Sequence, residues 1–158
     1  FPYKKKYLHN NYGFNTRITN LHSALLYSEL TSINKLIKKK IEITKYYEAF
    51  IRKNDRFKLL LPDSPKEIIW INKIICTKAK DKQKIIKFLK QNNINTDNFW
   101  ITMDQQPFLK KKIIFKKKIS NNSKIFSEKI VPLPSSAFLK KKDIMYITNL
   151  INKFFSKN

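Results

Sequence analysis

Residues 7–25, YLHNNYGFNTRITNLHSAL, join a polar loop that contains the only glycine of the chain to the beginning of a helical pattern. From residue 20 to about residue 53, apolar side chains recur mostly at helical spacing, and neither proline nor glycine interrupts them. Thr19 or Asn20 can cap the first turn, because the side-chain oxygen of either residue accepts a backbone N–H. The sequence therefore predicts one long helix, straight or bent, that spans about 50 Å and bridges domains or subunits.

The part of the chain after this helix predicts a small sheet covered by helices. A turn at residues 62–65, which contains two prolines, precedes a predicted strand at residues 68–76 that is rich in β-branched and aromatic side chains. The later predicted elements are a helix at 81–91, an extended strand-like segment at 96–103, a mobile loop or edge element at 110–118, a short helix at 123–129 and a last helix at 142–155. Local pattern alone thus indicates a single mixed α/β unit.

The net charge of +23 is the most unusual property of the composition. Such a charge is typical of proteins that bind nucleic acid or anionic surfaces. Of the 34 basic residues, however, only Arg17, Arg52 and Arg56 are arginine, whereas phosphate and base recognition favours the guanidinium group. We therefore favour a solvated lysine surface, such as the codon bias of an AT-rich genome would produce, over a nucleic-acid site.

Several classes of site and location are disfavoured. Cys76 is the only cysteine, so an internal disulfide is excluded, and no cysteine and histidine cluster has metal-ligand spacing. We expect no metal and a reducing, cytoplasmic setting. No apolar run approaches the roughly 20 residues that a membrane helix needs. The first residues have neither an initiator methionine nor an apolar signal core, which suggests a chain that is cut at its start.

Five collinear pieces of the sequence resemble one known family. Residues 7–25 resemble the pattern Y-x-H-x-x-x-G-Y-N-Y-R-(hydrophobic)-x-N-(hydrophobic)-x-A-A of the DegT/StrS sugar aminotransferases. The other four pieces lie at residues 30–47, 69–72, 94–107 and 130–136. In this order, they are similar to the family's long helix, its Y-W-L-N strand, its I-x-T-R-P-x-W-x-x-M-H-x-Q-P segment and its I-x-N-L-P-S-S element. The W-L-N and L-P-S-S variants resemble the branch that aminates 4-keto intermediates of bacillosamine- and legionaminic-type sugars.

This resemblance implies a fold, an activity and partners. The family has the aspartate-aminotransferase fold, fold type I, so the chain would be an α/β piece of it with an α+β small domain. Residues 1–19 would be a motif loop from the large domain, residues 20–53 an interface helix, and residues 54–158 the C-terminal small domain. The resemblance also implies a homodimer that shares pyridoxal phosphate between subunits and transfers an amino group from glutamate to a nucleotide-linked 4-keto-6-deoxy sugar.

The resemblance assigns two residues to the cofactor. Asn15 would donate an amide hydrogen bond to the cofactor phosphate of the other subunit, from a loop that Gly13 allows to turn tightly. The alternative for Asn15 is an ordinary turn residue. Arg17 would bind a phosphate or carboxylate of the substrate or cofactor through its two-pronged guanidinium, and the alternative for Arg17 is a surface ion pair.

Substrate contacts are expected from residues of the other matching pieces, namely Trp100, Met103, Gln106 and His9. A buried aromatic at a strand end is the alternative for Trp100, and a simple hydrogen-bonding residue is the alternative for His9. Trp70 is expected in the core. Ser135 and Ser136 are expected to cap the turn into the last helix, because no histidine and aspartate arrangement marks either one as a nucleophile.

No catalytic residue is assigned within the chain. In the family, the Schiff-base lysine, the acid at the pyridine nitrogen and the aromatic residue on the cofactor ring all precede the G-Y-N-Y-R motif, so they would lie upstream of Phe1. We expect the chain alone to be inactive.

Three positions depart from the family pattern and leave the substrate, or the activity itself, open. Asp97 and Asp104 stand where relatives carry arginine and histidine, and Thr16 replaces an aromatic residue. An anion near a nucleotide diphosphate weakens binding by repulsion. A basic nucleic-acid-binding module and a decayed, non-catalytic remnant remain the alternatives to an enzyme.

Overall fold

The computed structural model describes residues 7–11, 13–64, 67–110 and 121–157 of the chain. Helices pack against a small antiparallel sheet. The elements are α1 (Asn20–Thr31), α2 (Ile33–Phe50), β1 (Phe57–Leu59), β2 (Lys73–Cys76), α3 (Ala79–Gln91), a short 3-10 turn (Met103–Gln105), α4 (Pro107–Lys110), α5 (Asn121–Lys129), β3 (Ile130–Pro132) and α6 (Lys141–Lys157).

The sheet has the order β1-β2-β3, with β2 in the middle and both pairings antiparallel. Along β2, Ile74 and Cys76 are buried, whereas Lys73 and Ile75 are partly exposed. This alternation is what a strand shows when only one of its faces meets the core. The buried core residues come from β1, β2, β3, α2, α3 and α6 and from the turn after β3.

The C-terminal helix α6 and the helix α2 are joined by polar contacts as well as by the core. Asn152 of α6 donates from Nδ2 to the carbonyl of Phe50 at 3.0 Å and accepts the N–H of Arg52 at 3.1 Å. The carbonyl at the end of α2 is therefore satisfied by a side chain. This contact accompanies the end of α2 at Phe50, three residues before the predicted end near residue 53.

The predicted long helix is interrupted at Ser32. The hydroxyl of Thr31 donates to the carbonyl of Ser28 at 2.7 Å, and that of Ser32 donates to the carbonyl of Glu29 at 3.1 Å. Such side-chain bonds compete with the helical backbone ladder and bend or end a helix. Thr19 caps α1 as predicted, since its side chain accepts the N–H of His22. None of the residues of α1 is buried.

The helices at the predicted positions 81–91, 123–129 and 142–155 are confirmed as α3, α5 and α6, each within two residues at either end. The predicted strands are less accurate. The predicted strand at 68–76 contains a strand only at its last four residues, and the segment predicted as extended at 96–103 contains no β-strand. The outer strands, β1 and β3, are each three residues long and were not predicted. The predicted mobile loop at 110–118 lies outside the described residues, apart from its first residue.

None of the helices in the described portion of the chain is both long and apolar enough to cross a bilayer.

The only cysteine provides a probe of the core. Cys76 is buried, and burial, together with the charge of Asp81, raises the pKa of its thiol to about 11. At pH 8 the folded chain should therefore react with a thiol reagent at least 100-fold more slowly than the urea-unfolded chain, because both access and the thiolate fraction are reduced. Absorbance after addition of Ellman's reagent measures both rates. Rapid reaction of the folded chain would contradict the placement of β2 in the core.

Candidate functional site

A cleft with a volume of about 410 Å³ lies between the loop that precedes β2, the segment before the 3-10 turn and the turn that follows β3. Its lining combines aromatic rings, prolines, main-chain groups and a few polar side chains; it consists of Tyr7, Lys40, Trp70, Ile71, residues 95–100 and residues 132–136. A concave surface of this composition is typical of sites for small molecules. We refer to it as the cleft.

Three aromatic side chains form one wall of the cleft. The ring centroids of Trp70 and Trp100 are 5.5 Å apart, and those of Phe99 and Trp100 are 4.9 Å apart. Trp70 is 65% exposed and Trp100 is 43% exposed. The prediction that Trp70 lies in the core is therefore wrong. The apolar run at residues 68–71 precedes β2 without a strand partner and places the Trp70 ring in the wall.

Hydrogen bonds between the loops hold the floor of the cleft. The hydroxyl of Thr96, a buried residue, donates to the carbonyl of Pro132 at 2.6 Å. The hydroxyl of Ser135 accepts the N–H of Asn72 at 2.8 Å and donates to the carbonyl of Leu133 at 2.8 Å. Segments that are far apart in sequence are thus fixed to one another at the site.

The expected capping role of the two serines is correct for one of them. Ser136 accepts the N–H of Phe138 at 3.3 Å, which stabilises the turn. The hydroxyl of Ser135 instead joins the turn to Asn72, as described above. In the first turn of α6, the carboxylate of Asp143 accepts the N–H of Lys140, the residue before the helix, at 2.9 Å.

Among the described residues, the cleft lining includes one lysine and one aspartate, and their surroundings differ. The ammonium of Lys40 donates to the carbonyls of Trp70, at 2.9 Å, and of Ser135. Burial lowers the pKa of Lys40. The carboxylate of Asp97 lies 3.5 Å from the ammonium of Lys90 on α3. The charge of Asp97 is thus partly offset by a neighbour within the chain.

Three of the residues predicted to bind substrate lie outside the cleft lining. Gln106 is buried, and both ends of its amide are occupied: Nε2 donates to the carbonyl of Tyr7 and Oε1 accepts the N–H of His9, each at 2.9 Å. Met103 and His9 are exposed. The structure therefore brings Trp100 into the cleft. The side chain of Gln106 connects the segment that follows Trp100 to the N-terminal segment. Substrate roles for these four residues stay predictions.

Asp104, the second departure from the family pattern, lies in the 3-10 turn. Its Oδ1 atom is buried and has no hydrogen-bond partner in the described structure, and the same is true of the hydroxyl oxygen of Thr102. A buried, unsatisfied carboxylate oxygen is costly. We have no physical account of this arrangement within the chain.

The motif loop places the two residues that were predicted to bind the cofactor at the surface. The carbonyl oxygen of the Asn15 side chain accepts the N–H of Arg17 at 3.0 Å, which leaves the amide donor of Asn15 available to an outside acceptor. Arg17 has a φ of 64°, in the left-handed region. Both side chains are exposed, and neither lines the cleft.

The expectation that Gly13 allows the motif loop to turn tightly is wrong. Gly13 does not have a positive φ, and a Cβ atom added to it would meet nothing within 4 Å. The described part of the chain thus contains no steric or conformational requirement for glycine at this position.

Comparison with known families gives one match over nearly the whole chain. The model of the DegT/DnrJ/EryC1/StrS aminotransferase family matches residues 2–152. The chain belongs to this family. The resemblance carried by the five sequence pieces is thereby confirmed, and so is the fold class, an α/β piece of fold type I.

Solved structures of sugar aminotransferases share the fold of the chain. PseC of Helicobacter pylori, an aminotransferase involved in the biosynthesis of pseudoaminic acid, is 21% identical with a TM-score of 0.78; the match covers 94% of this chain and 40% of PseC. DesV of S. venezuelae is 13% identical, with a TM-score of 0.76. The match covers 96% of this chain and 40% of DesV. Sugar aminotransferase Spr1654 of Streptococcus pneumoniae in its PLP form is 15% identical, with a TM-score of 0.75 and coverage of 89% and 36%.

The chain thus spans about 40% of the length of the first of these relatives. What it shares with them at such identities is the fold.

Two residues of the cleft were missed by sequence reasoning. Trp70 lies in an apolar run whose periodicity does not distinguish a core strand from a cleft wall. Its one signal was the length of that run, nine residues, which exceeds what a short buried strand requires. Lys40 is one lysine among many, and only its contacts with residues 30 and 95 positions away set it apart.

Proposed function

We propose that this chain is the C-terminal part of a pyridoxal-phosphate-dependent aminotransferase that transfers an amino group from glutamate to a nucleotide-linked 4-keto-6-deoxy sugar in the cytoplasm. The observation that carries the proposal is the family match over residues 2–152. Since the chain spans about 40% of the length of PseC and DesV, we propose that the covalent lysine, and with it the activity, comes from the rest of the enzyme.

The cleft supports this proposal as the place of the nucleotide sugar. Exposed aromatic faces such as those of Trp70 and Trp100 suit the apolar face of a sugar or the plane of a base. Lys40 is the cation that the described lining of the cleft offers, and the pairing of Asp97 with Lys90 reduces the repulsion that a bare carboxylate would exert on a diphosphate. The net charge of +23 also attracts an anionic substrate.

The motif loop fits the phosphate of the cofactor. Asn15 keeps an amide donor available because its oxygen is bound within the loop, and the exposed guanidinium of Arg17 is two residues away. When bound, pyridoxal phosphate supplies the electron sink for exchange of the amino group. The proposed part of Asn15 and Arg17 is to bind and orient its phosphate. Since both residues are exposed, we propose that a second subunit completes this site.

Fluorescence tests the assignment of the cleft, because Trp70 and Trp100 are the only tryptophans of the chain. A uridine diphosphate sugar should quench their emission at 200 mM salt, a concentration at which affinity that depends on phosphate attraction alone has largely collapsed. Trp100→Ala should weaken binding about tenfold, since loss of one stacking face costs about 1–2 kcal/mol. Trp70 still reports binding in this variant, and isothermal titration calorimetry measures both affinities.

Phe138→Ala is the matched control, because Phe138 is an exposed aromatic residue that does not line the cleft. This variant should bind the nucleotide sugar with the native affinity. If the native chain gives no quenching, the cleft does not bind the substrate. A sequence preference for DNA that persists at 200 mM salt would instead favour the nucleic-acid-binding alternative.

A further inference from the structure

Lys40 connects three parts of the chain that meet at the cleft. It projects from α2, and its ammonium donates to the carbonyl of Trp70 in the loop before β2 and to the carbonyl of Ser135 in the turn after β3. These acceptors are 30 and 95 residues away in sequence. One side chain therefore joins α2 to both loops, which the hydrogen bond between Asn72 and Ser135 also holds to each other.

The ammonium of Lys40 is bound by main-chain carbonyls, as is that of Lys82 on α3. Lys39 and Lys90 each lie near a carboxylate. Lys40 forms no ion pair with any described residue, and main-chain carbonyls are its hydrogen-bond acceptors. A partly buried charge that lacks a counter-ion is costly unless hydrogen bonds offset the loss of water. Its hydrogen bonds offset the partial loss of water around the ammonium and tie both loops to α2.

We propose that Lys40 is a positioning residue that sets the aromatic wall of the cleft. By holding the main chain at Trp70 and at Ser135, it keeps the Trp70 ring against that of Trp100, at the observed centroid distance of 5.5 Å. The consequence for substrate binding rests on the proposed function of the cleft. The placement of the Trp70 ring does not depend on that function.

Circular dichroism measures this placement directly. Two indole rings at this distance couple their transitions and give a paired positive and negative band in the far ultraviolet, and the chain has no other tryptophan to contribute. In Lys40→Met the amplitude of this band should fall at least twofold at a temperature where the chain is fully folded. The affinity for the uridine diphosphate sugar should fall at least fivefold.

Two variants distinguish the loss of positioning by Lys40 from the loss of a positive charge and from a general loss of stability. Lys38→Met removes the same charge from an exposed lysine of the same helix and should leave both readings unchanged. Lys40→Arg keeps donors for both carbonyls and should restore most of the band. If Lys40→Met does not fold, Lys40→Gln serves instead; its shorter amide cannot reach both carbonyls, so the band should again fall at least twofold.

An unchanged paired band in Lys40→Met, or in Lys40→Gln where that variant replaces it, would overturn the inference. So would an equal loss in Lys38→Met. If the band falls as expected but the native chain does not bind the nucleotide sugar, Lys40 positions Trp70 and the proposed function of the cleft is wrong. If the native chain binds the sugar and the band is unaffected by the variants, the function stands and the inference fails.

Discussion

A chain in which Leu21, Leu25 and Leu26 are replaced by glutamine is expected to stay monomeric at concentrations at which the native chain associates. These side chains are 72%, 60% and 53% exposed, and α1 contains no buried residue. Covering a leucine side chain contributes about 1.5–3 kcal/mol, so their replacement should weaken association at least 100-fold. Sedimentation velocity at several concentrations measures the change.

The composition of the same region supports this expectation. About one residue in five of the chain is lysine, yet residues 7–34 contain none. A segment that lacks the solubilising residue used everywhere else, and that exposes apolar side chains around the whole helix, is typical of a surface that another protein covers. The second subunit of the proposed function would cover α1 in this way.

Salt and a control variant make the test specific. Since the net charge of +23 opposes self-association, added salt should strengthen association of the native chain by screening that repulsion. Glu29→Gln, on the same helix, removes one negative charge and should associate like the native chain or slightly more weakly. At a concentration at which the native chain is monomeric, the thermal midpoint of the triple variant should match that of the native chain, because no core contact is lost. Unchanged sedimentation would contradict the assignment of α1 as the associating surface.

Ile74→Ala is expected to destabilise the domain by about 3–4 kcal/mol and to lower the thermal midpoint by roughly 10 °C. Ile74 is fully buried on the central strand, where it pairs with Leu59 and Val131 on either side. Its loss leaves a cavity at the junction of the sheet and the helices. Urea unfolding, followed by circular dichroism, gives the change in the free energy of unfolding.

The neighbouring residue provides the control. Ile75 is partly exposed, because the side chains of β2 alternate between faces, so Ile75→Ala should cost only about 1 kcal/mol. The difference between these variants depends on the register of the sheet. Equal losses would mean that the assigned inward face of β2 is wrong.

The sequence was a good guide wherever periodicity extends over several turns. The helices α3 and α6 repeat apolar residues on one face, and their positions follow from that repeat. The strands β1 and β3 are three residues long, which is too short for any alternation to be recognised. They exist because β2 offers hydrogen-bonding partners on both of its edges, and that information is not local.

The cleft was only partly predictable for the same reason. The resemblance to the family placed Trp100 in a functional segment, and the structure places Trp100 in the cleft wall. Trp70 was predicted to lie in the core because an apolar run has the same sequence pattern in a buried strand and in the wall of a cleft. Gln106 was expected to contact substrate, but its amide is bound to the main chain of residues almost 100 positions earlier. No local pattern contains that pairing.

The amide of Gln106 has a mechanical consequence. This side-chain amide pairs with the main chain of Tyr7 and His9 as a neighbouring β-strand would. Its Nε2 donates to the carbonyl of Tyr7, and its Oε1 accepts the N–H of His9. The lead into the motif loop and the segment that follows Trp100 are thereby joined by two hydrogen bonds across almost 100 residues of sequence. The base of the loop that carries Asn15 is thus anchored to the segment that also carries Trp100.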